Sequence, residues 1–158
     1  MSATMKSAIR SLEKSNETSA SIIAARVAHD ALLGARGNSG VILSQTLRGL
    51  SQGLDKKATF NAADLAVAFD EAQRLAYRAV IKPVEGTILT VVREAAVAAK
   101  KSAERGDDIG GLMREVVNAT RLAVAHTPEL LPTLKQAGVV DAGGQGFSTL
   151  MEGMLQYM

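Results

Sequence analysis

From Ile109 to Val124 the chain reads Ile-Gly-Gly-Leu-Met-Arg-Glu-Val-Val-Asn-Ala-Thr-Arg-Leu-Ala-Val, with its core-type residues at Ile109, Leu112, Met113, Val116, Val117, Thr120 and Val124. Steps of three and four residues are the period of a helix with one apolar face, whereas a half-buried strand alternates every second residue. Outward from this stretch the same period returns at Met5, Ala8, Ile9 and Leu12, at Leu43, Thr46, Leu47 and Leu50, at Leu65, Phe69, Ala72 and Ala76, and at Ile88, Val91, Val92, Ala95 and Ala99. No β-branched run alternates with polar residues. The sequence therefore predicts an all-α domain, an antiparallel up-and-down bundle or barrel of seven to eight helices. Asn61 with Asp64 three residues on has the form of a capping box, and Gly106-Asp107-Asp108 ends one helix and starts the next. Thr127-Pro128-Glu129 places proline at a first helical position, and a last helix is expected from about Phe147 to Met158. Abundant alanine and only 3% aromatic residues let such helices approach closely.

At 158 residues the chain is long enough for one domain that buries about two-thirds of its unfolded surface. Eighteen basic residues stand against sixteen acidic ones, scattered along the chain, so neither a basic stripe nor stacking aromatics suggest nucleic-acid binding. The absence of cysteine excludes disulfides, thiolate metal sites and a cysteine nucleophile, and it fits a reducing cytoplasm, the expected location. His29 and His126 lack metal-ligand spacing and read as surface or partly packed side chains. Asp107-Asp108 reads as a helix start rather than a metal site. The six methionines read as core filler. No apolar run is long enough for a transmembrane segment, and Met1 to Ile9 lacks the apolar centre of a signal peptide.

Three polar connections interrupt this helical background: Gly34 to Gly40, Lys82 to Thr87, and Val139 to Gly146. Alternate loops of an up-and-down bundle fall at one end, and an even number of helices is expected between each pair, so the three converge. In Gly34-Ala35-Arg36-Gly37-Asn38-Ser39-Gly40 the glycines admit backbone amides close to an anion, and Ser39 is placed to cap the next helix. A helix start of this kind binds phosphate, although the same residues also make an ordinary turn. Arg36 either clamps a phosphate or binds carbonyls at the end of the preceding helix. Familiar nucleotide motifs do not account for these loops. Gly40 is followed by Val41 rather than by the lysine of a P-loop, and Thr149 stands where a dinucleotide fingerprint needs its third glycine.

Taken in order, Gly34 to Gly40, then Tyr77-Arg78-Ala79-Val80 with Lys82-Pro83-Val84-Glu85-Gly86-Thr87-Ile88-Leu89, then Val140-Asp141-Ala142-Gly143-Gly144-Gln145-Gly146, the chain resembles the nucleotide-binding (DhaL-like) domain of the dihydroxyacetone kinase family. It is most similar to the variant at the amino end of bacterial fatty acid kinases, and the resemblance covers essentially the whole chain. It implies a helical barrel that binds ATP or ADP with Mg²⁺ in a pocket at one end. Asn38 and Ser39 match the phosphate-contacting pair, with Gly40 giving close backbone approach. Thr87 and Ile88 match a Thr-Met-like pair beside the adenine, and Ala79 matches a small residue lining the same pocket. Asp141, Ala142 and Gly143 match an Asp-Pro-Gly-type loop, with Ala142 in place of proline.

The resemblance also implies departures. An Asp-rich stretch that holds two magnesium ions, and a first helix, precede the segment that Met1 to Ile9 resembles, so the Mg²⁺ ligands are expected upstream of this chain. As written, the chain is expected to be truncated at both ends, to contain neither catalytic nor metal-ligating residues, and to be inactive or severely impaired. The implied reaction transfers the γ-phosphoryl group of ATP to a fatty acid carboxylate presented by a separate fatty-acid-binding partner protein, with a homodimer possible in the full-length protein. Dihydroxyacetone (glycerone) kinase subunit and non-catalytic helical adaptor or regulator are the alternative readings.

Overall fold

The computed structural model describes residues 1–13 and 15–158. Eight helices and no strand occur among them: α1 (Ser2–Arg10), α2 (Ala20–Leu33), α3 (Gly37–Gly53), α4 (Ala62–Arg78), α5 (Ile88–Glu104), α6 (Ile109–Leu130), α7 (Pro132–Ala137) and α8 (Ala142–Tyr157). Each long helix packs on the next, and α8 closes onto both α5 and α6. The all-α bundle expected from the apolar period is the fold. Val91, Val92, Ala95 and Ala99 of α5 and Leu112, Val116 and Thr120 of α6 are all fully buried. Each larger apolar side chain removed from water in this way contributes about 1.5–3 kcal/mol.

Local signals explain where the helices begin. Asn61 and Asp64 form the expected capping box, each side chain accepting from the other's backbone N–H. Asp108 caps α6 by accepting from Gly111 N–H at 2.7 Å. Small residues set the helix spacing: a Cβ on Gly49 would lie 2.4 Å from Ala72 Cα, and one on Gly53 2.3 Å from Ala68 Cα. The α3 and α4 backbones are therefore closer than any larger pair would allow.

Two expectations need correction. Pro128 does not start a helix but lies inside the last turn of α6. Proline removes the N–H that would bond the carbonyl four residues back, and here Thr127 Oγ1 donates to that carbonyl, Val124 O, at 2.7 Å. The helix thus runs on to Leu130, and it is Pro132 that opens α7. The methionines are not uniformly core: Met113 and Met151 are buried, but Met154 and Met158 are exposed. Met1, Met5, Met113, Met154 and Met158 line an open, almost wholly apolar groove of about 1270 Å³ between α1 and α8, which also exposes Ile9.

The three polar connections do meet at one end of the bundle, by a slightly different count. Two helices, α3 and α4, separate the first pair of loops, but three, α5, α6 and α7, separate the second. Convergence survives because α7 is only six residues long and serves as part of the connection from α6 to α8.

Candidate functional site

A cavity of about 680 Å³ opens where the three connections meet, lined by Asn38, Ser39, Val41 and Ile42 from α3, by Ala79 to Lys82, Val84 and Thr87 to Leu89 from the α4–α5 connection, and by Asp141. Its size falls in the range of about 300–1,000 Å³ typical of small-molecule sites. The groove between α1 and α8 is larger but lacks convergent polar groups, so the smaller cavity is the better candidate.

The first wall is the start of α3. Gly37 has φ +64°, a left-handed conformation that only glycine adopts freely. The chain turns into the helix at Gly37, with Arg36 in the N-cap position and no side chain capping the first turn. Ser39 is therefore not the cap expected from the sequence but a first-turn residue, and with Asn38 it faces the cavity. First-turn amides have no partner within their own helix. Gly34 and Gly40 answer to packing: Cβ atoms there would lie 2.2 Å from Ser7 Cβ and 2.8 Å from Thr4 Oγ1 of α1. Arg36 is exposed and donates to the carbonyl of its neighbour Ala35 at 2.9 Å, beyond the end of α2.

The second wall is the connection from α4 to α5, fixed by Glu85. Tyr77 hydroxyl donates to Glu85 Oε1 at 2.9 Å, while Thr90 Oγ1 and Arg93 Nη1 donate to Oε2 at 2.6 and 2.7 Å. Gly86 N–H donates to Thr90 Oγ1 at 2.8 Å, closing the loop onto the first turn of α5. Burial pushes the Tyr77 hydroxyl up to about 12, assisted by its bond to Glu85. For Glu85, burial acts to raise the pKa, but the hydrogen bonds from Thr90, Tyr77 and Arg93 and the Arg93 charge outweigh it and hold the carboxyl below its ordinary value. The loop so latched presents Ala79, Val80, Ile81 and Val84 as an apolar surface beside Ile88 and Leu89. Thr87 caps α5, its hydroxyl accepting from Leu89 N–H and donating to Val84 O.

The third wall is the start of α8. Asp141 is its N-cap, Oδ2 accepting from Gly144 N–H at 2.6 Å. Asp141 N–H donates to Thr127 Oγ1 at 3.0 Å, so the hydroxyl that repairs the Pro128 gap also anchors this wall. A Cβ on Gly143 would lie 3.1 Å from Ser39 Oγ and 3.3 Å from Ile88 Cβ, which shows how tightly the three connections close on one another.

Of the residues singled out in the sequence, Asn38, Ser39, Ala79, Thr87, Ile88 and Asp141 line the cavity. Gly40 and Gly143 are buried behind it, and Ala142 is exposed as the first residue of α8. Val41, Ile42, Val80, Ile81, Lys82, Val84 and Leu89, to which the sequence assigns no individual site role, line it as well. His29 and His126 are exposed and paired with Asp30 and Glu129, matching their reading as surface side chains. Among the described residues no group of three or more histidine or acidic side chains is placed to hold a metal. Among the same residues no helix is long and apolar enough to cross a membrane.

Three helix starts, one of them without a side-chain cap, thus surround one largely apolar cavity. Comparison with known proteins gives the class: the DAK2 domain profile matches residues 1–156, and the chain belongs to this family of nucleotide-binding domains of the dihydroxyacetone kinase type. Protein YloV of Bacillus subtilis (strain 168) is 44% identical over 155 residues, which are 98% of this chain and 28% of that protein. An uncharacterized protein of Staphylococcus saprophyticus is 50% identical over 125 residues, 79% of this chain and 23% of its own length. An uncharacterized protein of Staphylococcus aureus (strain USA300) is 46% identical over the same length of alignment. This chain spans roughly a quarter of the length of these curated relatives.

Proposed function

We propose that this chain is the ATP-binding domain of a kinase that transfers the γ-phosphoryl group to a fatty acid carboxylate held by a separate lipid-binding partner. The observation that carries the nucleotide half is the uncapped start of α3, which lines one cavity together with the apolar side chains of Ala79, Val80 and Ile88. Free first-turn amides and the positive end of the helix dipole suit phosphate oxygens, and a small apolar slot suits a flat base. The starts of α5 and α8, capped by Thr87 and Asp141, add their dipoles to the same space.

Magnesium is the part of the reading that these residues fit least. The ion prefers several hard oxygen ligands, and the cavity offers one carboxylate, Asp141, with Oδ2 engaged by Gly144 N–H. The binding assigned to this chain therefore rests on amides and apolar walls, and is weak and independent of added metal.

Saturation-transfer NMR with ATP and ADP tests the nucleotide half. Both are expected to bind in competition with each other, whereas no transfer to either refutes the proposal. For the acceptor half, the protein that carries this domain is incubated with ATP, magnesium, a long-chain fatty acid and its lipid-binding partner, with hydroxylamine as trap. An acyl hydroxamate is the expected product; phosphorylation in a parallel incubation with dihydroxyacetone in place of the fatty acid, and no hydroxamate in the first, would transfer the domain to the glycerone kinases.

A further inference from the structure

Lys82 is the one lysine or arginine that lines the cavity among the described residues. It forms no ion pair with any described carboxylate, whereas Glu85 and Glu94 are both paired with Arg93. Its side chain is exposed, yet the backbone that follows it is held. Pro83 restricts Lys82 to extended conformations, and three residues further on Glu85 is tied to Tyr77, Thr90 and Arg93. A single unpaired cation is thus carried on a latched loop, in a wall otherwise made of Ala79, Val80, Ile81 and Val84.

The only other ionisable side chain in the lining is Asp141, so the cavity's side-chain charges cancel without a ligand. A nucleoside diphosphate brings several negative charges into this space. The α3 amides supply partial charges, and Lys82 is the only full positive charge the cavity has to offer.

We propose that Lys82 is the residue by which this cavity distinguishes phosphorylated nucleotides from the bare nucleoside, pairing with the phosphate tail while the α4–α5 connection keeps the base against its apolar face. This rests on the nucleotide reading above. The role is electrostatic and belongs to affinity and specificity; no bond is made or broken by Lys82.

ADP and adenosine are titrated without divalent metal, at low and moderate salt, into the wild type, Lys82→Met and Lys82→Arg, with amide chemical shifts as the readout. Lys82→Met keeps most of the apolar stem and is expected to weaken ADP roughly tenfold, the low end for a charge-assisted contact at an exposed site. Adenosine affinity should stay unchanged, Lys82→Arg should hold ADP within a few-fold of wild type, and the salt dependence of ADP binding should flatten in the methionine variant. Equal losses for ADP and adenosine, or undiminished ADP binding by Lys82→Met, would overturn the assignment while leaving the nucleotide site in place. If the wild type binds neither compound, the nucleotide reading itself fails, and the role of Lys82 with it.

Discussion

Replacing Thr127 by valine removes one hydroxyl and keeps the shape of the side chain, and the structure says which atoms lose by it. Thr127 is fully buried. Its Oγ1 donates to Val124 O, left without its helical partner by Pro128, and accepts from Asp141 N–H at the start of α8. Thr127→Val therefore strands a buried carbonyl and a half-buried amide. An unsatisfied buried group costs about 1–3 kcal/mol, and the partial exposure of Asp141 lets water relieve part of the second loss. The expected destabilisation is about 2 kcal/mol, read as a shift in urea midpoint at unchanged slope. For a domain of this size it corresponds to a fall in Tm of about 4–8 °C. Thr127→Ser keeps the hydroxyl and should retain most of the stability. The sharper test is the double variant Thr127→Val/Pro128→Ala, in which the new N–H at position 128 can bond Val124 O. It should recover about 1 kcal/mol relative to the sum of the two single changes. A Thr127→Val protein within about 0.5 kcal/mol of wild type, or strictly additive variants, would mean that Thr127 Oγ1 does not satisfy Val124 O in place of the missing N–H.

At the α3–α4 contact, Gly49→Val places its first carbon 2.4 Å from Ala72 Cα and should cost about 1–3 kcal/mol by overpacking, measured by urea unfolding. Glu85 has its pKa lowered in the folded state, so its contribution to stability is complete above its unfolded value and is lost as pH falls through the folded one. Glu85→Gln should accordingly be less stable than wild type at pH 7, by no more than about 1 kcal/mol for so exposed a pair, and the gap should close on acidification; a gap that widens in acid would reverse the assignment. Spectrophotometric titration should show a tyrosine ionising near pH 12, and Tyr77→Phe should remove that phase. Ser39→Leu puts a larger side chain into the cavity and should abolish nucleotide binding at unchanged far-UV helicity, whereas retained affinity would take the α3 start out of the site.

The helices were legible because burial acts on a whole face: Leu112, Val116 and Val92 could be placed from spacing alone, and all are buried. Caps were legible where the side chain does the capping itself, as at Asn61 and Asp108. Thr127-Pro128-Glu129 misleads because a helix start and a repaired proline inside a helix use the same residues. What separates them is where Thr127 Oγ1 donates, a fact of three-dimensional structure. Ser39 misleads for a related reason, since Gly37 adopts a left-handed conformation and moves the cap to Arg36.

In the site, the residues in glycine-rich motifs stood out, and the apolar lining did not. Nothing in the local pattern of Ile81 or Val84 tells a cavity wall from an exposed loop. Glu85, which latches that loop, binds partners eight residues away on either side, Tyr77 and Arg93, and five away at Thr90. No single helical face connects them in sequence. Ile9 and the methionines reveal the same blindness, because helical spacing identifies an apolar face but not whether another helix covers it.

If the meeting point of the three connections is a nucleotide site, ADP must reach the residues that line it. Titration of ADP into ¹⁵N-labelled protein tests it most directly, by showing which backbone amides move. Saturable shifts are expected at Asn38, Ser39, Thr87, Ile88 and Asp141, with the residues of the α1–α8 groove, such as Met5, Leu150 and Met154, unmoved. Shifts confined to that groove, or none at all at millimolar ADP, would contradict it.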